Sequence, residues 1–176
     1  MYCDKERIIK MRSIRQIQHF MQAQDEVYFS ALANGDLPVI EDCLIYRNTD
    51  PNQLLLYPTS PIDFKAAPAL CIAVANDNEA LVNLLLKHKA DPNVCDDEGI
   101  TPLMLAADTG NRKIINALIE HGANLTAHDD EGRYVVDYAE DEATLYYLTN
   151  CRLNQLCAKH NINLDKLIRA KENTRA

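Results

Sequence analysis

Residues that carry enzymatic chemistry are present in this chain, but their spacing matches no catalytic motif. The five glycines all lie at least ten positions apart. Phosphate-binding loops need closely spaced glycines, so G-x-x-x-x-G-K and G-x-G-x-x-G patterns are both excluded. No serine lies in the G-x-S-x-G turn that exposes a hydrolase nucleophile. An active site across residues 46–66 and the flanking helices would be an alternative, but no nucleophile, base and orienting group converge there. We therefore expect no enzymatic activity and no cofactor.

The most suggestive metal-binding pattern is formed by Cys151, Cys157 and His160. Cys157 and His160 are three positions apart and would share one face of a helix. Structural zinc takes four ligands, however, and a fourth is missing. We therefore predict no metal site. The six cysteines are sparse, and no hydrophobic signal segment starts the chain, which favours reduced thiols in the cytoplasm.

Two histidines, His88 and His121, are 33 positions apart, and each follows an apolar segment that predicts a helix. A histidine at the C-terminus of a helix can bond to the last carbonyl groups and complement the helix dipole. We therefore interpret both residues as structural.

Charge is distributed unevenly along the chain. Residues 1–24 carry a net charge of +3 and residues 151–176 one of +4, whereas residues 25–150 carry −15. An acidic segment repels the phosphates of nucleic acids and attracts basic surfaces. No stretch approaches the roughly 20 apolar residues that a membrane span needs. The composition therefore predicts a folded protein whose partner is another protein and not a nucleic acid.

An internal repeat organises the acidic part of the chain. Residues 66–98 align with residues 99–131 at a shift of 33 positions with ten identities, and both units end in Asp-Asp-Glu. Two apolar clusters at helical spacing predict two helices in each unit. In the second unit, Gly110 separates the helices, and Thr101-Pro102 provides a capping hydroxyl and a first-turn proline. Each unit is therefore predicted to be a helix pair followed by a turn.

The segment GITPLMLAADTGNRKIINALIEHGANLTA resembles the ankyrin repeat, since it keeps the T-P-L core and the G-A-N after the second helix. The preceding unit is a less regular copy, in which Asp77 replaces the central glycine. The resemblance implies an all-α solenoid of about four helix-turn-helix repeats. We assign these repeats, together with an insert in the first of them, to residues 25–65, 66–98, 99–131 and 132–150. The prolines of the insert argue against a helix there.

The two ends of the chain lie outside the repeats. Residues 1–24 have the apolar spacing of an amphipathic helix, and residues 151–176 that of further helices. Repeat arrays need polar caps at their ends, so we interpret both segments as capping helices. Because the first helix is also basic, residues 5–24 are alternatively a membrane-surface helix, or they bind the acidic repeats of the same chain.

The resemblance to the ankyrin family implies that partners bind a concave face, built from the turn tips and the exposed side of each first helix. The matching tip residues are Phe64 and Lys65, then Asp97, Glu98 and Ile100, then Asp130, Glu131 and Arg133. The matching helix residues are Asn76, Asp108, Thr109, Asp141 and Glu142. Asp96 and Asp129 match the aspartates that brace the turn in the family, so we interpret them as structural. Tyr138 is expected in the core.

These residues predict a protein-interaction module or adaptor that binds a basic segment. Asp97, Glu98, Asp130 and Glu131 have no bracing role in the family and would form an acidic stripe. The alternatives are a membrane-associated adaptor, or a bacterial effector delivered into the cytoplasm of a host cell. Asn93 is similar to the asparagines that a hydroxylase modifies in animals, although an asparagine at a turn mainly bonds to local backbone.

Overall fold

A computed structural model describes residues 26–60 and 63–160 of the chain. The elements, in chain order, are α1 (Glu26–Asn34), α2 (Leu37–Tyr46), β1 (Leu54–Ser60), β2 (Asp63–Pro68), α3 (Ala69–Ala75), α4 (Glu79–Lys87), α5 (Pro102–Thr109), α6 (Arg112–Glu120), the short 3-10 helix η1 (Val135–Tyr138) and α7 (Glu142–Lys159). The predicted first capping helix, at residues 1–24, lies outside the described residues, as do residues 161–176 of the predicted C-terminal caps.

The second helix of each pair begins at a polar side chain that accepts a hydrogen bond from a backbone N–H group in the first turn. Asn78 accepts from Leu81 at 3.0 Å, and Asp141 accepts from Thr144 at 2.7 Å. Such caps satisfy donors that the helix itself leaves without partners. The reversal before the second helix uses positive φ, which is +67° at Gly110 and +52° at Asp77. Aspartate tolerates this conformation better than most residues, so Asp77 replaces the usual glycine without loss of the turn.

The helices form two rows. In the inner row, α3 packs against α5, and α5 packs against η1. In the outer row, α2 packs against α4, and α4 packs against α6. A single apolar core lies between the rows, and its largest fully buried side chains include Tyr28, Ile40, Leu70, Leu85, Leu103, Met104, Ile115 and Leu118. The all-α solenoid predicted from the repeats is confirmed.

The insert in the first repeat forms a β-hairpin. Strands β1 and β2 pair antiparallel, from Leu54 opposite Pro68 to Ser60 opposite Asp63. Its base is held in the core, where Leu55 is fully buried. The backbone N–H of Asp97 donates to the carbonyl of Ala66 at 3.3 Å, which joins the hairpin to the tip of the next repeat. The sequence excluded a helix here but did not predict these strands.

The last repeat differs from its assigned form in two ways. Its first helix is reduced to η1, four residues that include the β-branched Val135 and Val136, which are weak helix formers. Its second helix, α7, continues without a break to Lys159, although we assigned the end of the repeats to residue 150. The segment contains neither glycine nor proline to stop it. One helix therefore belongs to both the last repeat and the start of the predicted C-terminal cap.

Candidate protein-binding surface

Each turn tip is braced by one aspartate. Asp96 Oδ1 accepts hydrogen bonds from the backbone N–H groups of Glu98 at 3.0 Å and Ile100 at 2.9 Å. Asp129 Oδ1 accepts the equivalent bonds from Glu131 at 2.9 Å and Arg133 at 2.8 Å. The predicted structural role of both aspartates is confirmed.

Asp129 has additional partners on its second carboxylate oxygen. Arg133 Nε donates to Oδ2 at 2.7 Å, and the hydroxyl of Tyr138 also donates to it. Burial opposes ionisation of Asp129, but these hydrogen bonds outweigh it and lower the pKa of Asp129. Burial and the bond to Asp129 raise the pKa of Tyr138 to about 12. Tyr138 is half-buried and packs against the core, as predicted.

Neighbouring tips are joined through their backbones. The N–H of Asp130 donates to the carbonyl of Glu98 at 3.3 Å. Glu98, Asp130 and Glu131 are exposed, and Asp97 is half-buried. The Oδ1 atom of Asp97 has no hydrogen-bond partner among the residues that the structure describes. The structure thus brings all four predicted acidic residues together on two adjoining tips.

Arg133 changes the charge of the second tip. Besides its bonds to Asp129, its guanidinium group lies 3.4 Å from the carboxylate of Glu131 and 5.0 Å from the centre of the Tyr138 ring. The predicted acidic stripe is therefore partly neutralised at its end, whereas Ile100 occupies the equivalent position of the preceding tip. Ile100 is itself half-buried and packs against the core.

A second group of predicted residues lies at the opposite end of the inner helices. Asp108 and Thr109 are exposed in the last turn of α5, and the hydroxyl of Thr109 donates to the carbonyl of Ala106 at 3.2 Å. Asn76 is exposed and follows α3.

The predicted tip residues Phe64 and Lys65 belong to strand β2. Their side chains are outside the described part of the structure.

Asp141 and Glu142 are not in a first helix, contrary to the prediction. Because η1 ends at Tyr138, Asp141 becomes the N-cap of α7 and Glu142 its first residue. Hydrogen bonds from the side chain and the backbone of Thr144 lower the pKa of Asp141. The Asp141 carboxylate still lies beside the end of α5, since a Cβ atom added to Gly110 would be 3.3 Å from Asp141 Oδ2.

A row of apolar residues lies between these two ends, and the sequence did not predict that they form one surface. Ile72, Leu105 and Tyr138 are half-buried and pack on the core. They occupy equivalent positions at a spacing of 33 residues. That spacing is the signal that would have identified them.

The structural interpretation of the histidines is confirmed for His121, whose Nδ1 lies 2.8 Å from the carbonyl oxygen of Ala117 in the last turn of α6. His88 also follows its helix, but its Nε2 lies 3.4 Å from Glu41 of the preceding repeat. Hydrogen bonds from Lys87 and His88 lower the pKa of Glu41. Equivalent positions therefore make different contacts.

Amide side chains link the turns that follow the outer helices. Asn93 Oδ1 accepts from the N–H of Asn124 at 2.7 Å, and its Nδ2 donates to the carbonyl of Gly122 at 3.2 Å. Gln155 makes the same pair of bonds to Leu125 and Ala123 from α7. Asn93 thus bonds to the backbone of the next repeat, and not only to its own turn.

Residues 26–60 and 63–160 contain neither a membrane-spanning helix nor a metal-binding cluster. No helix in these ranges combines the length and apolar character needed to cross a membrane. Likewise, no group of three or more His, Cys, Asp or Glu residues there is arranged to hold a metal ion.

The comparison with protein families decides the identity of the repeats. The model described as ankyrin repeats (3 copies) matches residues 28–129 and 70–164, which together cover most of the chain. The chain belongs to the ankyrin repeat family. Ankyrin repeats are protein-interaction modules, and members of the family are typically not enzymes.

A solved ankyrin structure agrees with this assignment. The fold is similar to the ankyrin repeat domain of Bcl-3, described as a unique member of the IkappaB protein family, with a TM-score of 0.59 and 21% sequence identity. The match covers 68% of this ankyrin chain and 49% of the solved Bcl-3 chain, so it spans about half the length of that chain. No curated protein sequence matches the chain.

Proposed function

We propose that this ankyrin repeat protein is a non-enzymatic adaptor that binds a basic protein segment through its acidic turn tips. The observation that supports the proposal is the backbone bond between Asp130 and Glu98. This bond holds exposed carboxylates of two successive repeats side by side, where Lys or Arg residues of a partner would reach both.

The charge of the repeats acts over a longer range. Residues 25–150 carry a net charge of −15, which raises the association rate of a basic partner and disfavours acidic ones. We also propose a cytoplasmic location for this binding, because the sparse cysteines of the sequence favour reduced thiols.

The proposal is tested by reversing charge at equivalent positions of the two tips. Glu98→Lys with Glu131→Lys changes two exposed side chains and leaves the bracing aspartates in place. The matched control, Asp42→Lys with Glu120→Lys, makes the same change in charge on exposed positions of the outer helices α2 and α6. Quantitative affinity capture from cell lysate compares both variants with the wild-type chain, after circular dichroism has confirmed that each is folded.

We expect proteins that the wild type and the outer-helix control capture to be lost from the tip variant. This loss should be reproduced for the wild type by raising the ionic strength, because salt screens exposed charges. Equal capture by the tip variant and the control would contradict the proposal.

A further inference from the structure

The face of the inner helices that points away from the outer row is called the groove, and its floor is apolar. Ile72 in α3 and Leu105 in α5 share a helix face with the exposed residues three and four positions later, which are Ala75, Asn76, Asp108 and Thr109. This spacing directs their remaining exposed surface into the groove. Tyr138 of η1 continues the row. Three apolar side chains from three successive repeats therefore form the floor of the groove.

Acidic residues border this floor on both sides. Glu98 and Asp130 lie on the tips, where the inner helices begin. Asp108 lies in the last turn of α5, and Asp141 lies next to Gly110, which follows that turn. Helix α5 has eight residues, so the two acidic borders are about 12 Å apart at a rise of 1.5 Å per residue.

This width matches an α-helix laid along the groove. A helix with its side chains is about 10–12 Å across, so both of its flanks would reach an acidic border at once. Neighbouring layers of packed helices are about 8–10 Å apart, and two helical turns rise about 10.8 Å. Apolar residues two turns apart on such a helix would therefore meet successive members of the floor.

We propose that the groove binds an amphipathic cationic helix of a partner protein, with apolar residues two turns apart on one face and Lys or Arg residues on both flanks. This inference rests on the proposed function and names the partner class for the same surface. The apolar contacts supply most of the affinity, and the charges on the two flanks set the orientation and the association rate.

The test uses the full chain and two designed helical peptides labelled with fluorescein. Both peptides have leucines two turns apart on one face and the same number of lysines. In the first peptide the lysines lie on both flanks, and in the second they lie on one flank only. Fluorescence anisotropy gives the Kd of each peptide for the wild type, for the Asp108→Asn, Asp141→Asn variant, in which asparagine still caps α7, and for the Glu98→Lys, Glu131→Lys variant.

We expect the two-flank peptide to bind the wild type about fivefold more tightly than the one-flank peptide, since each exposed ion pair strengthens binding only modestly. The Asp108→Asn, Asp141→Asn variant should remove this advantage while leaving the Kd of the one-flank peptide unchanged. Asp42→Asn with Glu120→Gln is the matched control and should change neither Kd.

Three results would overturn the inference. Equal affinity of the two peptides for the wild type would show that only one border binds, and the proposed function would still stand. Failure of Glu98→Lys, Glu131→Lys to weaken either peptide would contradict the proposed function as well. The variant Lys10→Glu with Arg12→Glu reverses two charges in the basic segment 1–24. A large gain in its affinity for both peptides would show that this segment of the same chain occupies the groove.

Discussion

Two aspartates at equivalent turn positions ionise in different surroundings. Burial is the main influence on Asp96 and raises its pKa. Asp129 has the same backbone partners but also bonds to Arg133 and Tyr138, and its pKa is lowered. The equivalent partners of Asp96 are Ile100 and Leu105, neither of which can donate from its side chain. The charge of Asp129 is therefore stabilised by the fold, and that of Asp96 is not.

We predict that Asp129→Asn lowers the free energy of unfolding at pH 7 by about 2 kcal/mol, because it removes hydrogen bonds to a charged group. Asp96→Asn is the matched control and should cost less than about 1 kcal/mol, since a neutral amide can still accept both backbone bonds. Urea denaturation followed by circular dichroism measures both. Equal losses would contradict the distinction between the two tips.

Acid should remove the difference in stability between the wild type and Asp129→Asn. Because the folded pKa of Asp129 is depressed, its contribution is present above the unfolded pKa of about 3.9 and is lost as the pH falls through the folded value. Asp96 has a raised folded pKa, so its ionisation lowers the stability of the fold as the pH rises. We therefore expect the stability of the wild type and of Asp129→Asn to converge below about pH 4.

The turn tips act as one element because they are packed against each other. Gly99 and Gly132 occupy equivalent positions with φ of +80° and +82°. A Cβ atom at Gly99 would lie 2.8 Å from Asp130 Oδ1 and 3.1 Å from its backbone nitrogen, whereas one at Gly132 would meet no described residue within 4 Å. Within the part of the chain that the structure describes, the first tip is thus covered by the second, and nothing covers the second.

We predict that Gly132→Ala costs about 1 kcal/mol, the penalty for placing a side chain at positive φ. Gly99→Ala pays the same backbone cost and also overpacks the contact with Asp130, which adds about 1–3 kcal/mol. Thermal unfolding of the two variants measures the difference. Equal melting temperatures would show that the tips do not pack on each other in solution.

At the scale of the molecule, one core runs through the described layers, and each of these layers packs mainly against its neighbours. Leu118 of α6 belongs to the third repeat, which has neighbours on both sides. Leu148 of α7 belongs to the last repeat. Both side chains are fully buried. Repeat arrays of this kind have stability that is roughly a sum of the layers and their interfaces. A substitution that destabilises the last repeat should therefore leave the other repeats folded.

We predict that Leu118→Ala and Leu148→Ala each cost about 2–5 kcal/mol locally, as expected for a buried leucine. Hydrogen exchange measured by mass spectrometry should show faster exchange throughout the described helices for Leu118→Ala. For Leu148→Ala the increase should be confined to residues 135–159. The exposed Tyr146, replaced by Ala, serves as the control and should leave exchange unchanged. A uniform increase for Leu148→Ala would contradict the layered description.

Local sequence patterns were enough to predict the helices of the repeat unit. The hydroxyl cap of Thr101, the glycine at position 110 and the apolar spacing of the helices involve residues within one or two turns of each other, and the apolar spacing recurs after 33 positions. The prolines of the insert excluded a helix there. The resemblance to the ankyrin family identified Asp96 and Asp129 as turn braces.

The contacts between these elements became apparent from the packed fold. The pairing of β1 with β2, the extension of α7 past residue 150 and the bonds of Asn93 to Gly122 and Asn124 all depend on which segments pack together. The groove has the same origin, since Ile72, Leu105 and Tyr138 become one surface only when the layers stack. Contacts between distant residues depend on packing geometry, which no local pattern in the chain encodes.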